Sequence, residues 1–180
     1  TEHLNGVFFE DAQKGYAVGS NGTLLTTTNG GIDWQKTTID TSYTLTNYFV
    51  HNGIHYVCGV GFIGSGSTSN SIKKKKVDAF VPVFTNFVAS NGQVLCFGGT
   101  FALNRIAGYC MQSDATGEKW ENPKIQYLWN DYLYHSEWYG KAVATEANIV
   151  LVPIRRADMG FYGIYRINTL TWKEDTVLTL

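Results

Sequence analysis

Residues 27–34, Thr-Thr-Asn-Gly-Gly-Ile-Asp-Trp, constrain the fold of this chain more than any other segment. An Asn-Gly pair accepts the positive φ angles of a tight turn, and a tryptophan after it can cover the turn and start a strand. Weaker versions of the segment end at Trp120 and Trp172. Trp120 follows Trp34 by 86 residues, which is two units of 43, and Trp172 follows by a further 52. The spacing indicates a repeat.

A second repeated pattern precedes these turns. Residues 49–61 and 87–99 both read as a strand, an Asn-Gly turn and a second strand with a glycine-rich end, and residues 142–152 keep the pattern with Asn148 alone. Repeats of about 40–45 residues with four strands each are typical of β-propellers. We therefore predict one all-β domain over residues 1–180, a β-propeller of about four four-stranded antiparallel blades, at 4–42, 43–82, 83–126 and 127–180.

Two alternatives to a closed ring of four blades stay open. In the first alternative, the chain is a fragment of a six- to eight-bladed ring. In the second, it is a partial propeller that a second chain completes by self-association. Closure matters because an open propeller leaves the first and last blades with exposed faces.

The composition restricts the function. The net charge is −1, 16% of residues are charged, and the 19 glycines suit strands and turns. We expect no nucleic-acid partner, because such binding needs a basic surface, and no membrane span, because no apolar run approaches about 20 residues. We read Cys58 and Cys96 as small buried residues, although a Cys96–Cys110 bridge is possible. The first residue is Thr, which indicates a removed leader or a fragment.

The turn resembles the Asp-box, or bacterial neuraminidase repeat, Ser/Thr-x-Asp/Asn-x-Gly-x-Thr-Trp. The matching positions are structural: Thr27, Asn29, Gly31 and Trp34 in the first unit, Ser113, Gly117 and Trp120 in the third, and Trp172 in the fourth. In the third unit Ala115 occupies the Asp position. Over residues 8–34 the chain also resembles a blade of the photosystem II stability/assembly factor family. That resemblance implies a non-catalytic, exported propeller.

Candidate ligand-binding residues lie in loops on the face of the propeller opposite the Asp-box turns. Residues 127–139 carry seven aromatic or imidazole rings, which suit stacking on a sugar or a peptide. An adjacent arginine pair can bind an anionic group. The predicted ligand-binding residues are Trp129, Tyr132, His135, Trp138, Arg155, Arg156, Asp158 and Arg105.

Catalysis is not favoured. A sialidase needs three arginines on the substrate carboxylate, but the chain has four in all, and two of them are adjacent. No histidine spacing supports a metal site. We therefore predict a non-enzymatic binding or assembly module for a protein or carbohydrate ligand, without cofactor or metal. One alternative is a sialidase-like or other propeller glycoside hydrolase, which would need a carboxylate pair such as Asp158 with Asp131 or Glu137, although no spacing supports that pair. Another is a fragment of a larger surface scaffold.

Overall fold

A computed structural model describes residues 2–75, 82–102, 105–121, 136–138, 141–156 and 161–179 of the chain. Side chains are described over 2–75, 86–98, 110–121, 141–153 and 163–173. Over these residues the chain forms seventeen β-strands and two short 3-10 turns, and no α-helix. No helix in the described part of the chain is long and apolar enough to cross a membrane.

The strands form four antiparallel sheets that follow one another along the chain. Sheet 1 contains β1 (Leu4–Phe9), β2 (Gly15–Gly19), β3 (Thr23–Thr27) and β4 (Gln35–Thr38). Sheet 2 contains β5 (Leu45–His51), β6 (Ile54–Gly59), β7 (Phe62–Gly66) and β8 (Lys73–Lys74). Sheet 3 contains β9 (Pro82–Ser90), β10 (Gln93–Ala102), β11 (Arg105–Ser113) and β12 (Trp120–Glu121). The predicted all-β propeller class with four-stranded antiparallel blades is confirmed.

Sheet 4 departs from the pattern in its first position. It contains β13 (Ser136–Trp138), β14 (Val143–Glu146), β15 (Ile149–Arg156), β16 (Phe161–Asn168) and β17 (Lys173–Thr179). β13 and β14 pair with different stretches of β15, at 154–156 and 149–151. The first strand of this sheet is therefore interrupted, and two short strands share one position.

The first strands of successive sheets lie next to one another. β1 packs against β5, β5 against β9, and β9 against β14. This arrangement places the first strand of each sheet innermost and the fourth outermost, as in a propeller.

Three hydrophobic clusters join consecutive sheets. Tyr16, Val18 and Leu24 of sheet 1 pack with Leu45, Tyr48, Val57 and Phe62 of sheet 2. Tyr56, Cys58 and Ile63 of sheet 2 pack with Phe87, Val94, Cys96, Met111 and Trp120 of sheet 3. Val88, Leu95, Phe97 and Cys110 of sheet 3 pack with Ala142, Val150, Val152, Tyr165 and Ile167 of sheet 4. Each sheet thus has a leading face towards the preceding sheet and a trailing face towards the following one.

The turns between the first two strands follow the sequence prediction. In the Asn52-Gly53 and Asn91-Gly92 pairs both residues have positive φ angles, between 49° and 72°. That conformation costs asparagine and glycine less than other residues, so these pairs fix the hairpin register.

The three cysteines are buried and unbridged. In sheet 3 Cys110 pairs with Phe97 rather than with Cys96. The reading of Cys58 and Cys96 as small buried residues is confirmed, and a Cys96–Cys110 bridge is not formed.

Candidate interaction surface

The leading face of sheet 1 exposes large apolar side chains. Leu4 is 53% exposed, Val7 61% and Phe9 42%, although all three belong to an innermost strand. An open groove of about 470 Å³ lies on this face. The groove is lined by Leu4, Asn5, Gly6, Val7, Ala17, Leu25 and Trp34. An exposed apolar face of this kind is a candidate surface for contact with another macromolecule.

The same register positions are buried where a preceding sheet is present. Leu4 pairs with Gly19 in sheet 1 as Leu45 pairs with Gly59 in sheet 2, and both strands have a register shift after that pair. Val7 corresponds in the same way to Tyr48. Leu45 and Tyr48 are fully buried against sheet 1. The leading face of sheet 1 therefore has the side-chain positions of an interface between sheets, without a described partner.

Ring contacts hold one border of the groove in place. Phe9 and Trp34 meet edge to face, with ring centroids 6.2 Å apart and an interplanar angle of 84°. Trp34 Nε1 donates a hydrogen bond to the Gly31 carbonyl oxygen at 3.0 Å. The indole is thus fixed by a hydrogen bond and by a ring, and offers a rigid apolar surface.

The turn after β3 is closed by side-chain hydrogen bonds. Asn29 Oδ1 accepts hydrogen bonds from the Thr27 hydroxyl at 2.9 Å and from the Asp33 amide at 3.0 Å. The Thr27 hydroxyl oxygen accepts a hydrogen bond from the Gly31 amide at 3.0 Å. Gly31 has a φ of 91°, which a side chain would strain. Thr27, Asn29, Gly31 and Trp34 therefore all contribute to closing and covering this turn.

This turn lies at the same end of sheet 1 as the turn between β1 and β2. The Gly30 amide donates a hydrogen bond to the Gln13 carbonyl oxygen at 2.9 Å. In sheet 4 the Thr169 amide donates in the same way to the Asn148 carbonyl oxygen at 2.8 Å. The two kinds of turn share one end of the sheets, which leaves the other end to the remaining loops.

In sheet 3 the corresponding turn uses a different acceptor. Asp114 Oδ1 accepts hydrogen bonds from the Thr116 hydroxyl and amide and from the Glu118 amide, at 2.9, 3.2 and 3.0 Å. The motif places Ala115 at this position, so the acceptor lies one residue earlier than the motif indicates. Gly117 keeps the positive φ, at 70°.

The flanking residues of this turn join sheet 3 to its surroundings. The Ser113 hydroxyl oxygen accepts a hydrogen bond from the Val94 amide at 3.1 Å, and Trp120 is buried between sheets 2 and 3. Ser113 therefore contributes a hydrogen bond within sheet 3, and Trp120 contributes to the packing between sheets 2 and 3.

The last turn is shorter than the motif. Asn168 Oδ1 accepts hydrogen bonds from the Leu170 and Thr171 amides at 3.0 and 3.1 Å. Trp172 has a φ of 53° and packs against the cluster between sheets 3 and 4. Trp172 is therefore itself a residue of the turn, and it also covers the turn.

A cluster of polar aromatic residues lies between the inner strands of sheets 1 and 2. The rings of Tyr16 and Tyr48 stack with centroids 4.4 Å apart. The Tyr48 hydroxyl and His55 Nδ1 form a hydrogen bond of 2.8 Å, and the Tyr16 hydroxyl donates to Glu10 Oε2 at 3.2 Å. Sequence reasoning missed this cluster, because its members come from separate repeats and no motif joins them.

Burial controls the protonation of the cluster. Burial, with help from the Glu10 carboxylate, raises the pKa of Tyr16 to about 12. Burial lowers the pKa of His55 below its ordinary value of 6.5, against the opposing charge of Glu10. At neutral pH His55 is therefore neutral, so Nδ1 can accept the hydrogen bond from Tyr48.

The predicted ligand-binding residues lie beyond the described side chains. Trp129, Tyr132, His135 and Asp158 fall outside the described residues. Trp138 is placed in β13, Arg105 in β11, and Arg155 and Arg156 in β15, by their backbone alone. β13 pairs Glu137 with Arg155 and Ser136 with Arg156, so the 136–138 segment and the arginine pair are neighbours in one sheet.

Among the residues that the structure describes, no group of three or more His, Cys, Asp or Glu side chains is arranged to hold a metal ion.

No family model matches the sequence. No curated protein sequence matches it either. Solved structures do resemble the fold. An ancestral GH74 enzyme aligns over 99% of this chain and 27% of its own length, with a TM-score of 0.64 and 12% identity. YCF48 from Cyanidioschyzon merolae aligns over 97% of this chain and 56% of its own length, with a TM-score of 0.59 and 14% identity. The computationally designed Ika8 protein has a TM-score of 0.55 and 10% identity, over 98% of this chain and 61% of its own.

At these identities the similarity establishes a shared fold. The chain spans about a quarter of the GH74 enzyme and about half of YCF48.

Proposed function

We propose that this chain is a non-catalytic propeller module that binds a protein partner through the leading face of sheet 1. The exposure of Leu4, Val7 and Phe9 in a strand whose counterpart in sheet 2 is buried carries the proposal. A partner with an apolar, sheet-like surface would remove these side chains from water, and burial of apolar area is the main driving force of such association.

The turns support a scaffold role. Their side chains are used in hydrogen bonds that close the turns and in packing between sheets. We read them as degenerate Asp-boxes, which stabilise blades and do not contact substrate. The resemblance of residues 8–34 to the photosystem II stability/assembly factor family points to the same kind of role.

A second contact region completes the proposal. It consists of the residues that the sequence predicts for ligand binding, Trp129, Tyr132, His135 and Asp158, together with the 136–138 segment, which lies beside Arg155 and Arg156. These residues suit an aromatic and anion-binding surface for a peptide or a glycan. We also propose that the module acts outside the cytoplasm.

Site-specific photo-crosslinking in the native cell tests this function. A benzophenone maleimide is attached to a Val7→Cys variant and, as the control, to an Ala115→Cys variant, because Ala115 is exposed in the turn between β11 and β12 of sheet 3. The three native cysteines are buried and do not compete. We expect protein adducts from position 7 and not from position 115.

The same protein is assayed on β-1,4-glucan and on a sialyl-lactose substrate. Equal adduct formation at both positions, or hydrolysis of either sugar, would contradict a non-catalytic module that binds through sheet 1.

A further inference from the structure

The chain carries two exposed faces of the same kind, one at each end of the row of sheets. Besides the leading face of sheet 1, the trailing face of sheet 4 exposes Val143 to 54%. Val143 pairs with Leu151, as Val88 pairs with Leu95 in sheet 3. Val88 and Leu95 are buried against sheet 4, whereas Leu151 is only half-buried. The trailing face of sheet 4 therefore also has the positions of an interface between sheets.

The two faces are the two halves of one interface. Where sheet 1 meets sheet 2, the trailing side supplies Tyr16 and the leading side supplies Tyr48, and their rings stack. By register, Leu151 holds the position of Tyr16, and Val7 holds that of Tyr48. One chain thus presents an apolar trailing half and an apolar leading half that match the pair already packed within it.

Charge adds a second match. Across the interface of sheets 2 and 3, the Ser65 hydroxyl donates a hydrogen bond to the Gly117 carbonyl oxygen in the turn of the following sheet. Arg166 holds the position of Ser65 on the trailing face of sheet 4 and is exposed. Gly31 holds the position of Gly117 in sheet 1, two residues before the exposed carboxylate of Asp33. In such an interface Arg166 would lie against a turn that carries a negative charge.

We propose, on the basis of the protein-binding role of sheet 1, that the partner at this face is sheet 4 of a second copy of the chain. Two copies related by a two-fold axis would each place sheet 4 against sheet 1 of the other. The product is a ring of eight sheets, each with four strand positions, a size that β-propellers adopt.

The mass of the purified chain in solution is the first test. Light scattering is expected to give twice the 20.0 kDa of one chain. Val7→Asp and Val143→Lys each place an unpaired charge in one half of the interface. Each is expected to weaken association at least about 100-fold and to give a monomer. Val60→Asp, the same change at an exposed valine in the turn between β6 and β7, is expected to leave the dimer intact. Circular dichroism checks that every variant is folded.

Mixing the two monomeric variants is the decisive step. A mixed dimer has one interface in which both halves are native and one in which Asp faces Lys, so native mass spectrometry is expected to show a dimer with one copy of each variant. A monomeric native protein, or a mixture that stays monomeric, would overturn the proposal. Crosslinks from position 7 to another protein, with a monomeric native chain, would leave the protein-binding function standing and overturn only the self-association.

Discussion

Val7 in β1 and Tyr48 in β5 hold the same register position in neighbouring sheets, yet Val7 is 61% exposed and Tyr48 is fully buried. The difference comes from what lies against each residue. Tyr48 packs on sheet 1, whereas the leading face of sheet 1 has no described sheet before it. Equivalent positions in one repeat protein therefore have different energetic roles, since stability depends on the interface with the next repeat.

This pair predicts unequal effects of the same truncation. Tyr48→Ala is expected to lower the free energy of unfolding by about 4 kcal/mol, because it leaves a cavity between sheets 1 and 2. Val7→Ala is expected to change it by less than about 0.5 kcal/mol in dilute protein, because the side chain is already in water. Urea unfolding at low protein concentration measures both values. A loss of several kcal/mol for Val7→Ala would show that this face is covered within one chain.

The turn of sheet 3 gives a prediction about which residue closes it. Asp114→Ala removes the acceptor of three hydrogen bonds and is expected to cost about 1 kcal/mol. Ala115→Ser, at the position that the motif indicates, is expected to stay within about 0.5 kcal/mol of the native protein. Thermal unfolding of the two variants is the measurement. A larger loss for Ala115→Ser than for Asp114→Ala would contradict the assignment of the acceptor.

The sequence predicted the turns well where local chemistry determines them. Asn52-Gly53 and Asn91-Gly92 adopt the positive φ angles that their residue types favour, and the turn at 27–34 closes through the side chains that the motif names. At Asp114 the motif failed by one residue. A carboxylate can reach the same amides from a neighbouring position, and spacing alone does not show which one does.

Protonation of His55 is expected to make stability depend on pH. The pKa of His55 is lowered by burial, so between that value and 6.5 the unfolded chain binds more protons than the folded one. The contribution to stability is therefore complete above pH 6.5 and is lost as the pH falls towards the folded value. His55→Gln is expected to flatten the fall in unfolding free energy as the pH drops below 6.5. A slope unchanged by the substitution would mean that other groups cause it.

The cysteines are expected to be unreactive in the folded protein. Burial raises the pKa of the Cys96 and Cys110 thiols, so little thiolate forms, and all three side chains are shielded. Titration with Ellman's reagent is expected to detect almost no thiol in native buffer and three per chain in guanidinium chloride. Rapid labelling of the native protein would be inconsistent with the cluster between sheets 2 and 3 as described.

The exposed faces could not have been predicted from the sequence. Apolar residues occupy positions 4, 7 and 9 in β1 as they occupy 45, 48 and 50 in β5, so both strands have the pattern of a buried inner strand. Whether such a face is covered depends on the neighbouring sheet and not on the strand itself. The predicted loop site, by contrast, remains a prediction, because its side chains lie outside those described.

Hydroxyl-radical footprinting of sheet 1 tests most directly whether its leading face is an unfilled interface. Labelling of Leu4, Val7 and Phe9 is compared between dilute and concentrated protein, with Val60 as an internal reference and buried Tyr48 as a protected standard. The proposed interface predicts strong labelling of the three residues in dilute protein and protection as concentration rises, while Val60 does not change. Labelling of Val7 as weak as that of Tyr48 in dilute protein, or labelling that is the same at all concentrations, would contradict it.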